Sequence, residues 1–474
     1  MIVETTADLT GVTAEDLGRV HVIGIGGVGM NGVARLLVTR GIPVSGSDMR
    51  EWPALDALRA LGAKIHMGHD VSNLDGVDTV VYSTAIKSDN SELAEARKRG
   101  LRVLHRAEAL VAAMNGRQAI AVAGTNGKTT TTSMMTNVLQ HSGLDPSFVI
   151  GGELADVGSS AHHGSGEHFV VEADESDKTF LLYHPKVAIV TNIEADHLDT
   201  YGNLAGVEAA FAEFADRIAP DGFLVVCADD AGAMRLAEYA RSKDRTVYTY
   251  GHAEGADLRL TNLGTDVNGS TYQAVLDGET IGFVTLNVPG PHIALNSGAA
   301  LLSALRLGVP AAAAIEALAS YRGVRRRFEH KGTVDGVRVY DEYAYHPTSM
   351  NASLRTVREV TGDGQLIVVF QSYRLYRTIA FEAGIAAALD LADQVIVMEV
   401  FCPGEVRGPG QGGAALVRAL TLPPENVVFE PSWSGVAPEV ARRAREGDLV
   451  LTMGAPPISM MGEEILTALA ERNG

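Results

Sequence analysis

The stretch that most constrains the fold of this chain runs over residues 119–133. A short apolar run at residues 119–123 predicts a buried parallel strand. It leads into a glycine-bearing turn at residues 124–127, then into Lys128 and four threonines. Apolar residues at helical spacing follow until Gly143, which predicts a helix that ends there. Strand, glycine turn, Lys-Thr and helix in this order predict an α/β domain with a phosphate-binding turn.

We call residues 124–130 the phosphate cradle. In such a turn the backbone N–H groups and the positive end of the helix dipole face a polyphosphate, Lys128 reaches its outer oxygens, and Thr129 holds Mg²⁺. The predicted ATP-binding residues of the cradle are Gly124, Thr125, Asn126, Gly127, Lys128, Thr129 and Thr130. The match to a Walker A motif is partial, because its first glycine would fall at Val122. A Gly-Lys-Thr turn can also be only a capped helix start, but the ordered strand and helix favour a nucleotide site.

Composition narrows the class of protein. A chain of 474 residues is too long for one ordinary core and predicts about two to four domains. The net charge of −19 argues against nucleic-acid and membrane partners, so an anionic substrate needs local cationic side chains. Cys227 and Cys402 lie far apart and predict neither a zinc site nor a disulfide framework. No stretch approaches the roughly 18 apolar residues of a membrane span, and residues 1–17 lack the order of a signal peptide, which predicts a cytoplasmic protein.

A second glycine turn lies near the amino terminus. Gly24, Gly26 and Gly29 fit G-x-G-x-x-G between a predicted strand and a predicted helix, and Asp48 follows a second strand at residues 42–46. This pattern is typical of a dinucleotide site with the acid on a ribose hydroxyl. The same turn can hold the pyrophosphate of a UDP-sugar, or merely allow close packing of helix on sheet. The candidate ligand-binding residues are Gly26, Gly27, Val28, Gly29 and Asp48.

Acidic residues follow two predicted strands of the central region. One strand begins at His168 and ends in Glu172 and further acids, and another at residues 186–192 is followed by a segment that contains His197. Ligands bind at the carboxyl ends of parallel strands, and Mg²⁺ prefers oxygen donors and shares phosphate oxygens. We therefore predict a metal site formed by Thr129, Glu172 and His197, although such acids can also be solvated loop residues.

The pattern changes twice after this region. Short alternating strands between about residues 255 and 290, with Asn-Gly at 268–269 and Asp-Gly at 277–278, predict a small antiparallel sheet. Asn296, four residues after His292 on an alanine-rich helix, is a candidate contact for a purine, although such a pair is more often a packing contact. Arg326 lies in a run of three arginines and is a candidate phosphate clamp, whereas most charge runs are solvated surfaces.

A third α/β region begins near residue 332. Its predicted strands are residues 338–341, 366–371, 394–400 and 449–453. The glycine fingerprint, the phosphate cradle, the acidic strand ends, the linker arginines and this third unit occur in one order. That order resembles the Mur ligases of peptidoglycan synthesis over nearly the whole chain. The specific motifs are residues 24–30, 124–132, 172–177, 191–199, 326–329 and 341–347, and residues 143–154 look like those of actinobacterial members.

The resemblance implies three domains: a Rossmann-like UDP-sugar-binding domain at residues 1–116, a P-loop ATPase domain with a small antiparallel sheet at 117–329, and a Rossmann-like domain at 330–474. It also implies an ATP-dependent, ADP-forming amide ligase that uses Mg²⁺ and acts as a monomer or homodimer. A carboxylate of UDP-N-acetylmuramate would be activated as an acyl phosphate and then attacked by a small amino acid, L-alanine being expected.

The resemblance also carries site residues over to this chain. Lys128, Glu172, His197, Arg326 and His346 would be catalytic. Asn296, Arg326 and Asp341 would contact ATP. Tyr345, Tyr373, Arg374 and Arg377 would contact substrate. The dinucleotide interpretation of the first glycine turn is then disfavoured.

The chain departs from the family pattern mainly in its third region. Tyr345 and Tyr373 stand where members usually have histidine, and two prolines at 456–457 replace a Gly-Asp pair. A phenol with a pKa of about 10 rarely accepts a proton near neutral pH, whereas an imidazole does. Asn126 replaces a histidine of the cradle, which is a mild change because backbone amides form most of the cradle. These departures leave two alternatives open: a paralogue that uses another amine or carboxylate, and a non-catalytic nucleotide-binding regulator.

Overall fold

Three separate sheets organise the chain in a computed structural model that describes residue 9, residues 11–155 and residues 158–472. Residues 1–8 and residue 10, part of the segment predicted not to be a signal peptide, lie outside the described residues, as does the side chain of Val28. The predicted fold class is confirmed: the protein is a three-domain α/β protein.

The first sheet is parallel, with the strand order β3-β2-β1-β4-β5. Its strands are β1 (Val20–Ile23), β2 (Val44–Asp48), β3 (Lys64–Met67), β4 (Thr79–Tyr82) and β5 (Arg102–His105). Its helices are α1 (Val28–Thr39), α2 (Pro53–Ala60), α3 (Ser91–Lys98) and α4 (Arg106–Met114). The strand order reverses at β1, and such a reversal opens a crevice at the carboxyl ends of the strands. The first glycine turn, which follows β1, therefore lies at this crevice.

The second sheet has ten strands in the order β15-β14-β13-β12-β11-β10-β6-β9-β7-β8. Its strands are β6 (Gln118–Ala123), β7 (Ser147–Val149), β8 (Ala161–His162), β9 (His168–Glu172), β10 (Val187–Val190), β11 (Phe223–Cys227), β12 (Thr246–Gly251), β13 (Leu258–Asp266), β14 (Gly269–Leu276) and β15 (Glu279–Leu286). The helices of this region are α5 (Lys128–His141), α6 (Leu198–Tyr201), α7 (Leu204–Asp216), α8 (Ala231–Ser242), α9 (Pro291–Arg306) and α10 (Ala311–Ser320).

The position of β6 decides where the phosphate cradle lies. This strand pairs in parallel with β10 on one side and with β9 on the other. The strands that follow β6 in the chain therefore extend the sheet on both of its sides. It is thus the switch point of the second sheet, where ligands bind in open α/β sheets. All four residues of β10 and all five of β11 are buried, as expected of parallel strands covered on both faces.

Two hairpins are present at the far edge of the second sheet, as predicted, but the first turn comprises residues 267–268, because Gly269 of the predicted Asn-Gly pair already begins β14. Only two residues separate β13 from β14 and β14 from β15, a length that allows antiparallel but not parallel neighbours. In the second turn Asp277 has a φ of 50° and Gly278 a φ of 88°. Positive φ at both positions is the requirement of a type I′ hairpin turn, which the Asp-Gly pair satisfies.

The third sheet has the order β16-β17-β21-β18-β19-β20. Its strands are β16 (Glu329–Val334), β17 (Val337–Glu342), β18 (Leu366–Gln371), β19 (Gln394–Val397), β20 (Val427–Phe429) and β21 (Leu449–Gly454). Its helices are α11 (Pro347–Thr361), α12 (Leu375–Ala380), α13 (Glu382–Leu389), α14 (Gly413–Ala419), α15 (Trp433–Arg443) and α16 (Met461–Glu471). The strands pair in parallel except for β16, which is antiparallel to β17.

One strand of this sheet is shorter than the sequence predicts. The strand expected at residues 394–400 ends at Val397. The carboxylate of Glu399 accepts hydrogen bonds from the backbone N–H groups of Val400 and Gly413. The side chain of Glu399 thus takes the N–H of Val400, whereas the N–H groups of Met398 and Phe401 still donate to the carbonyls of Phe370 and Ser372. The regular ladder therefore ends at Val397 although the apolar pattern continues.

The chain forms two compact units. The first comprises Met1–Thr261, Gln273–Val284 and Leu295–Tyr321, and the second comprises Asn262–Tyr272, Thr285–Ala294 and Arg322–Gly474. None of the described helices is both long enough and apolar enough to cross a membrane.

Candidate active site

The phosphate cradle is built on backbone conformations that favour glycine. Gly124 has a φ of 128° and Gly127 a φ of 87°. Gly127 is the residue before α5, so the free N–H groups at the start of that helix lie in the cradle. A Cβ at Gly124 would lie 2.1 Å from the hydroxyl oxygen of Thr191. Glycine at both positions therefore lets the turn curl tightly around the end of β6.

Residues that follow β10 hold the cradle in place. The N–H of Asn126 donates to Oδ1 of Asn192 at 2.8 Å, and the carbonyl of Asn126 accepts from Oγ1 of Thr191 at 2.6 Å and Nδ2 of Asn192 at 3.0 Å. The N–H of Thr125 donates to the carbonyl of Asn192 at 3.0 Å. The turn is consequently preorganised by a neighbouring strand before any ligand binds.

Lys128 lies at the mouth of the cradle with a buried carboxylate beside it. Its Nζ donates to the carbonyls of Gly124 at 2.6 Å and Thr125 at 3.3 Å, and to Oε1 of Glu175 at 2.8 Å. The side chain of Glu175 is only 3% exposed, and that of Lys128 is 18% exposed. The second carboxylate oxygen of Glu175 has no hydrogen-bond partner among the described residues.

Burial and the neighbouring charges shift the pKa values of both Glu175 and Lys128. Burial raises the pKa of Glu175 to about 7, helped by Asp174 and opposed by Lys128. Burial lowers the pKa of Lys128, but the surrounding carboxylates of Glu175, Asp174 and Glu172 outweigh it and raise this pKa above its ordinary value. Lys128 is therefore a cation at neutral pH, ready to meet phosphate oxygens.

The predicted metal ligands lie at neighbouring strand ends. Glu172 ends β9 opposite Val122 of β6, and Thr129 is the second residue of α5. Nε2 of His197 is 3.9 Å from Oε1 of Glu175 and 3.6 Å from a carboxylate oxygen of Asp196. Mg²⁺ usually binds one or two protein carboxylates and completes its shell with water and phosphate oxygens, so these donors fit it.

These residues fit only a Mg²⁺ site that takes most of its ligands from water and phosphate oxygens. Across residues 11–155 and 158–472 no group of three or more histidine, cysteine or acidic side chains is placed to hold a metal ion. A site enclosed by the protein is thus not formed by these residues. The assignment of Thr129, Glu172 and His197 to Mg²⁺ stays a prediction.

Asn296 lies directly against the cradle. A Cβ on Gly127 would come within 2.6 Å of its Oδ1 and 3.3 Å of its Nδ2. The residue is on α9, far along the chain, and is 8% exposed. Its position beside the cradle is compatible with the predicted contact to the adenine ring, which stays a prediction.

The first glycine turn has a different internal support. The N–H of Gly26 donates to Oδ2 of Asp48 at 2.9 Å, while Oδ1 accepts from Arg50 N and from the indole of Trp52, both at 3.1 Å. A Cβ on Gly26 would collide with that indole at 2.1 Å. The carboxylate predicted to bind a ribose is therefore used to shape the turn in this structure, and its contact with a ligand stays a prediction.

Arg326 and Asp341, in the second unit, lie close together, and only some of their polar side-chain atoms have hydrogen-bond partners among the described residues. Nε of Arg326 lies 3.9 Å from Oδ2 of Asp341, and the guanidinium covers the ring of Tyr343 at 4.5 Å. Nε and Nη2 of Arg326 and Oδ2 of Asp341 are buried without hydrogen-bond partners among the described residues. Burial raises the pKa of Asp341, whose other oxygen accepts from Thr452 at 2.6 Å. Unused guanidinium donors of this kind are suited to a phosphate.

The four predicted substrate contacts of the third domain come together in one aromatic–arginine cluster, which we define as Tyr345, Tyr373, Arg374 and Arg377. The two tyrosine rings are 6.3 Å apart. Arg377 covers the ring of Tyr345 at 4.9 Å, and Arg374 covers that of Tyr373 at 5.3 Å. His346, just before α11, is buried against Phe381, with ring centroids 4.9 Å apart. The cluster lies beyond β17 and β18, at the carboxyl ends of their strands.

Sequence reasoning missed the residue that pairs with Lys128. Glu175 was visible only as one of several acids after β9, and its neighbours Asp174 and Asp177 have the same charge. Thr191 and Asn192 were likewise part of a recognised motif without an assigned role. Their position directly after a buried strand beside the cradle was the available signal.

Comparisons with known proteins agree with this geometry. Residues 19–118 match the family model described as Mur ligase family, catalytic domain. Residues 122–304 match the Mur ligase middle domain, and residues 326–456 match the Mur ligase, glutamate ligase domain. Each match contains one of the three sheets or most of it.

Relatives are similar over nearly the whole chain. The UDP-N-acetylmuramate–L-alanine ligase of Salinispora arenicola is 63% identical over 461 residues, 97% of this chain and 90% of the relative. The protein of the same name from Acidothermus cellulolyticus is 50% identical over 97% of this chain and 96% of its own length. The crystal structure of UDP-N-acetylmuramate–alanine ligase from Thermotoga maritima superposes with a TM-score of 0.79 at 28% identity, covering 96% of this chain and 99% of that one. The chain belongs to the Mur ligase family.

Proposed function

We propose that this protein is an ATP-dependent, ADP-forming ligase that joins L-alanine to the carboxylate of UDP-N-acetylmuramate in peptidoglycan precursor synthesis. The observation that carries the proposal is the cation of Lys128, held at a preorganised cradle by a carboxylate that is 3% exposed. The near full-length similarity to ligases of that name supports the choice of substrates.

The first step is phosphoryl transfer. A carboxylate oxygen of the UDP-sugar attacks the γ-phosphorus of ATP, the bond from that phosphorus to the β–γ bridging oxygen breaks, and ADP leaves. Lys128 and the amides at the start of α5 bind the phosphate oxygens and stabilise the charge on the transferring group. Arg326, whose Nε and Nη2 donors are unused within its own unit, is assigned to a phosphate of ATP, and Asp341 beside it is assigned to ATP as well.

Mg²⁺ would be held by Thr129 and Glu172, with His197 nearby, and would neutralise charge on the phosphate oxygens when bound. Glu175, whose pKa is raised to about 7, keeps Lys128 in place and does not need to be a ligand.

The second step forms the amide. The amino group of L-alanine attacks the acyl carbon, phosphate leaves with the carbon–oxygen bond, and the nitrogen loses a proton. His346 is the imidazole assigned to that proton, and Arg374 and Arg377 are assigned to the amino-acid carboxylate, which a guanidinium binds with two donors. All of these residues belong to one chain, so a monomer or a homodimer would be active. The nucleotide substrates place the enzyme in the cytoplasm.

The test is phosphate release from ATP in the presence of UDP-N-acetylmuramate and each small amino acid in turn. Release that requires both the nucleotide sugar and L-alanine, with the amide product seen by mass spectrometry, is expected. Absence of alanine-dependent release at saturating ATP would refute the proposal.

A second candidate, a family member with another amine as acceptor, is favoured by the aromatic–arginine cluster. Tyr345 and Tyr373 bring two phenol rings next to the assigned amino-acid arginines. Two phenol rings in place of two imidazoles change what an amino acid contacts there, which favours an amine other than alanine. The same panel of amino acids separates the candidates, because preference for another amine over L-alanine would support the second one.

A further inference from the structure

The loop at residues 173–178 follows β9 and carries Glu175, the partner of the cradle lysine. Bonds inside the loop shape it: the N–H of Ser176 donates to Oδ1 of Asp174 at 3.0 Å, and the N–H of Lys178 donates to the carbonyl of Glu175 at 3.2 Å. These bonds join near neighbours in the chain and do not tie the loop to the rest of its domain. Contacts from another element are therefore needed to keep it beside the phosphate cradle.

The short helix α6 supplies two such contacts. The hydroxyl of Tyr201 donates to the carbonyl of Glu175, and Oγ1 of Thr200 donates to the carbonyl of Ser176 at 2.9 Å. Two adjacent side chains of α6 thus hold two adjacent carbonyls of the loop. The half-buried ring of Tyr201 packs against the apolar core of the first unit, which fixes the position of its hydroxyl. Nζ of Lys178 lies over the same ring, 5.2 Å from the centroid, so the loop meets Tyr201 at a second point.

The same helix also places His197 beside the loop. His197 is the residue before α6, with a left-handed φ of 52°, and its carbonyl accepts from the N–H groups of Thr200 at 2.8 Å and Tyr201 at 3.1 Å. Nε2 of His197 lies 3.9 Å from Oε1 of Glu175. One turn of helix therefore holds the backbone of Glu175 and sets the distance from its carboxylate to this imidazole.

A shift of the loop would act on the cradle through Lys128. Nζ of Lys128 donates to Oε1 of Glu175 and to the carbonyls of Gly124 and Thr125. Without the carboxylate, the ammonium would retain the two carbonyls but lose the charged partner that fixes its direction. Phosphoryl transfer depends mainly on the placement of such cations, and a displacement of about 1 Å can cost about a hundredfold in rate.

We propose that Tyr201 is a positioning residue for phosphoryl transfer: it holds the backbone of Glu175, so that this carboxylate keeps Lys128 directed into the phosphate cradle. Thr200 assists through the next carbonyl of the loop. Neither residue needs to touch ATP or the substrate in this role. The inference rests on the proposed function, because the step that it supports is the transfer of the γ-phosphoryl group of ATP to a carboxylate.

Phosphate release by the full chain, with saturating ATP, UDP-N-acetylmuramate and L-alanine, tests the assignment. Tyr201→Phe removes one hydroxyl and keeps the ring. It should lower kcat about fivefold, the effect of losing one hydrogen bond, while the KM for UDP-N-acetylmuramate stays unchanged. Tyr239→Phe is the matched control and should keep the kcat of the unchanged protein, since its hydroxyl donates to Oδ2 of Asp216 at 2.8 Å on an exposed surface.

A double-mutant cycle separates positioning from a general loss of stability. Glu175→Ala removes the carboxylate that Tyr201 is proposed to place, so adding Tyr201→Phe to it should lower kcat by less than about twofold further. Thr200→Val should also lower kcat, and Thr200→Ser, which keeps the hydroxyl, should restore it. Additive losses in the cycle, or equal kcat values for Tyr201→Phe and Tyr239→Phe, would overturn the proposal.

Hydrogen exchange measured by mass spectrometry gives a readout that does not depend on the reaction. In Tyr201→Phe the amides of residues 173–178 should exchange severalfold faster, while those of β6 and the thermal midpoint stay as in the unchanged protein. Unchanged exchange in the loop, or faster exchange throughout the domain, would overturn the positioning role. If the unchanged protein released no phosphate with both substrates, the proposed function would fail, and the exchange rates would still decide whether Tyr201 holds the loop.

Discussion

Two glycines at the ends of α5 provide a sharp test of how the phosphate cradle is built. Gly127 precedes the helix with a φ of 87°, and Gly143 follows it with a φ of 76°. Alanine in this left-handed region costs about 1–2 kcal/mol at either position. The two sites differ in their surroundings: nothing lies within 4 Å of an added Cβ at Gly143, whereas Oδ1 of Asn296 lies at 2.6 Å at Gly127.

The expected effects follow from that difference. Gly127→Ala and Gly143→Ala should destabilise the protein by similar amounts, about 1–2 kcal/mol each, because the end of the Asn296 side chain can rotate away. Only Gly127→Ala should lose ATP affinity. If Asn296 contacts the nucleotide as predicted, displacing its carboxamide removes about 1 kcal/mol of hydrogen bonding. With a small shift of the cradle amides, we then expect a loss of ATP affinity of about fivefold or more.

Calorimetric titration with a non-hydrolysable ATP analogue and urea denaturation measure the two quantities. A double-mutant cycle with Asn296→Ala then isolates the contact. Once alanine at position 127 has displaced the carboxamide, removing it should cost little more, so the losses of affinity should be less than additive. Additive losses, or equal losses of affinity in the Gly127 and Gly143 variants, would refute the placement of Asn296 against the cradle.

Three further outcomes are expected. Lys128→Met should lower phosphate release at least about a hundredfold, while Lys98→Met, at a side chain 79% exposed, should not change it. The pKa of Glu175 rises from 4.5 to about 7 on folding, so the folded state binds the proton of this carboxyl more tightly than the unfolded state does. Protonation of Glu175 therefore adds to the free energy of unfolding below pH 4.5, and this contribution is lost as the pH rises to 7. Glu175→Gln should remove this dependence, a relative change of about 3 kcal/mol between those limits in urea denaturation, and an unchanged slope would contradict it. Tyr373→Leu, which removes the ring 5.3 Å from Arg374, should raise the KM for the amino acid severalfold and leave that for ATP unchanged.

Most of the fold could be predicted from patterns of residues that are adjacent in the sequence. The strand, the glycine turn and the helix around Lys128 are adjacent in sequence, and their backbone preferences act over a few residues. The same is true of the hairpin at Asp277, where the Asp-Gly pair specifies the turn. The expected strand at residues 394–400 was too long, because the carboxylate of Glu399 takes over backbone donors, a contact that no period of apolar residues reveals.

Contacts between distant residues set the chemistry of the site. The sequence alone establishes a phosphate cradle, the acidic segments that follow two neighbouring strands and the order of three α/β regions, since these depend on local backbone geometry and on the burial of apolar strands. Which acid pairs with Lys128, which hydroxyl binds the carbonyl of Glu175 and which amide lies on Gly127 depend on how strands and helices far apart in the chain are placed side by side. Glu175, Tyr201 and Asn296 acquire their positions in this way, because hydrogen bonds and ion pairs need contact in space and are independent of distance along the chain.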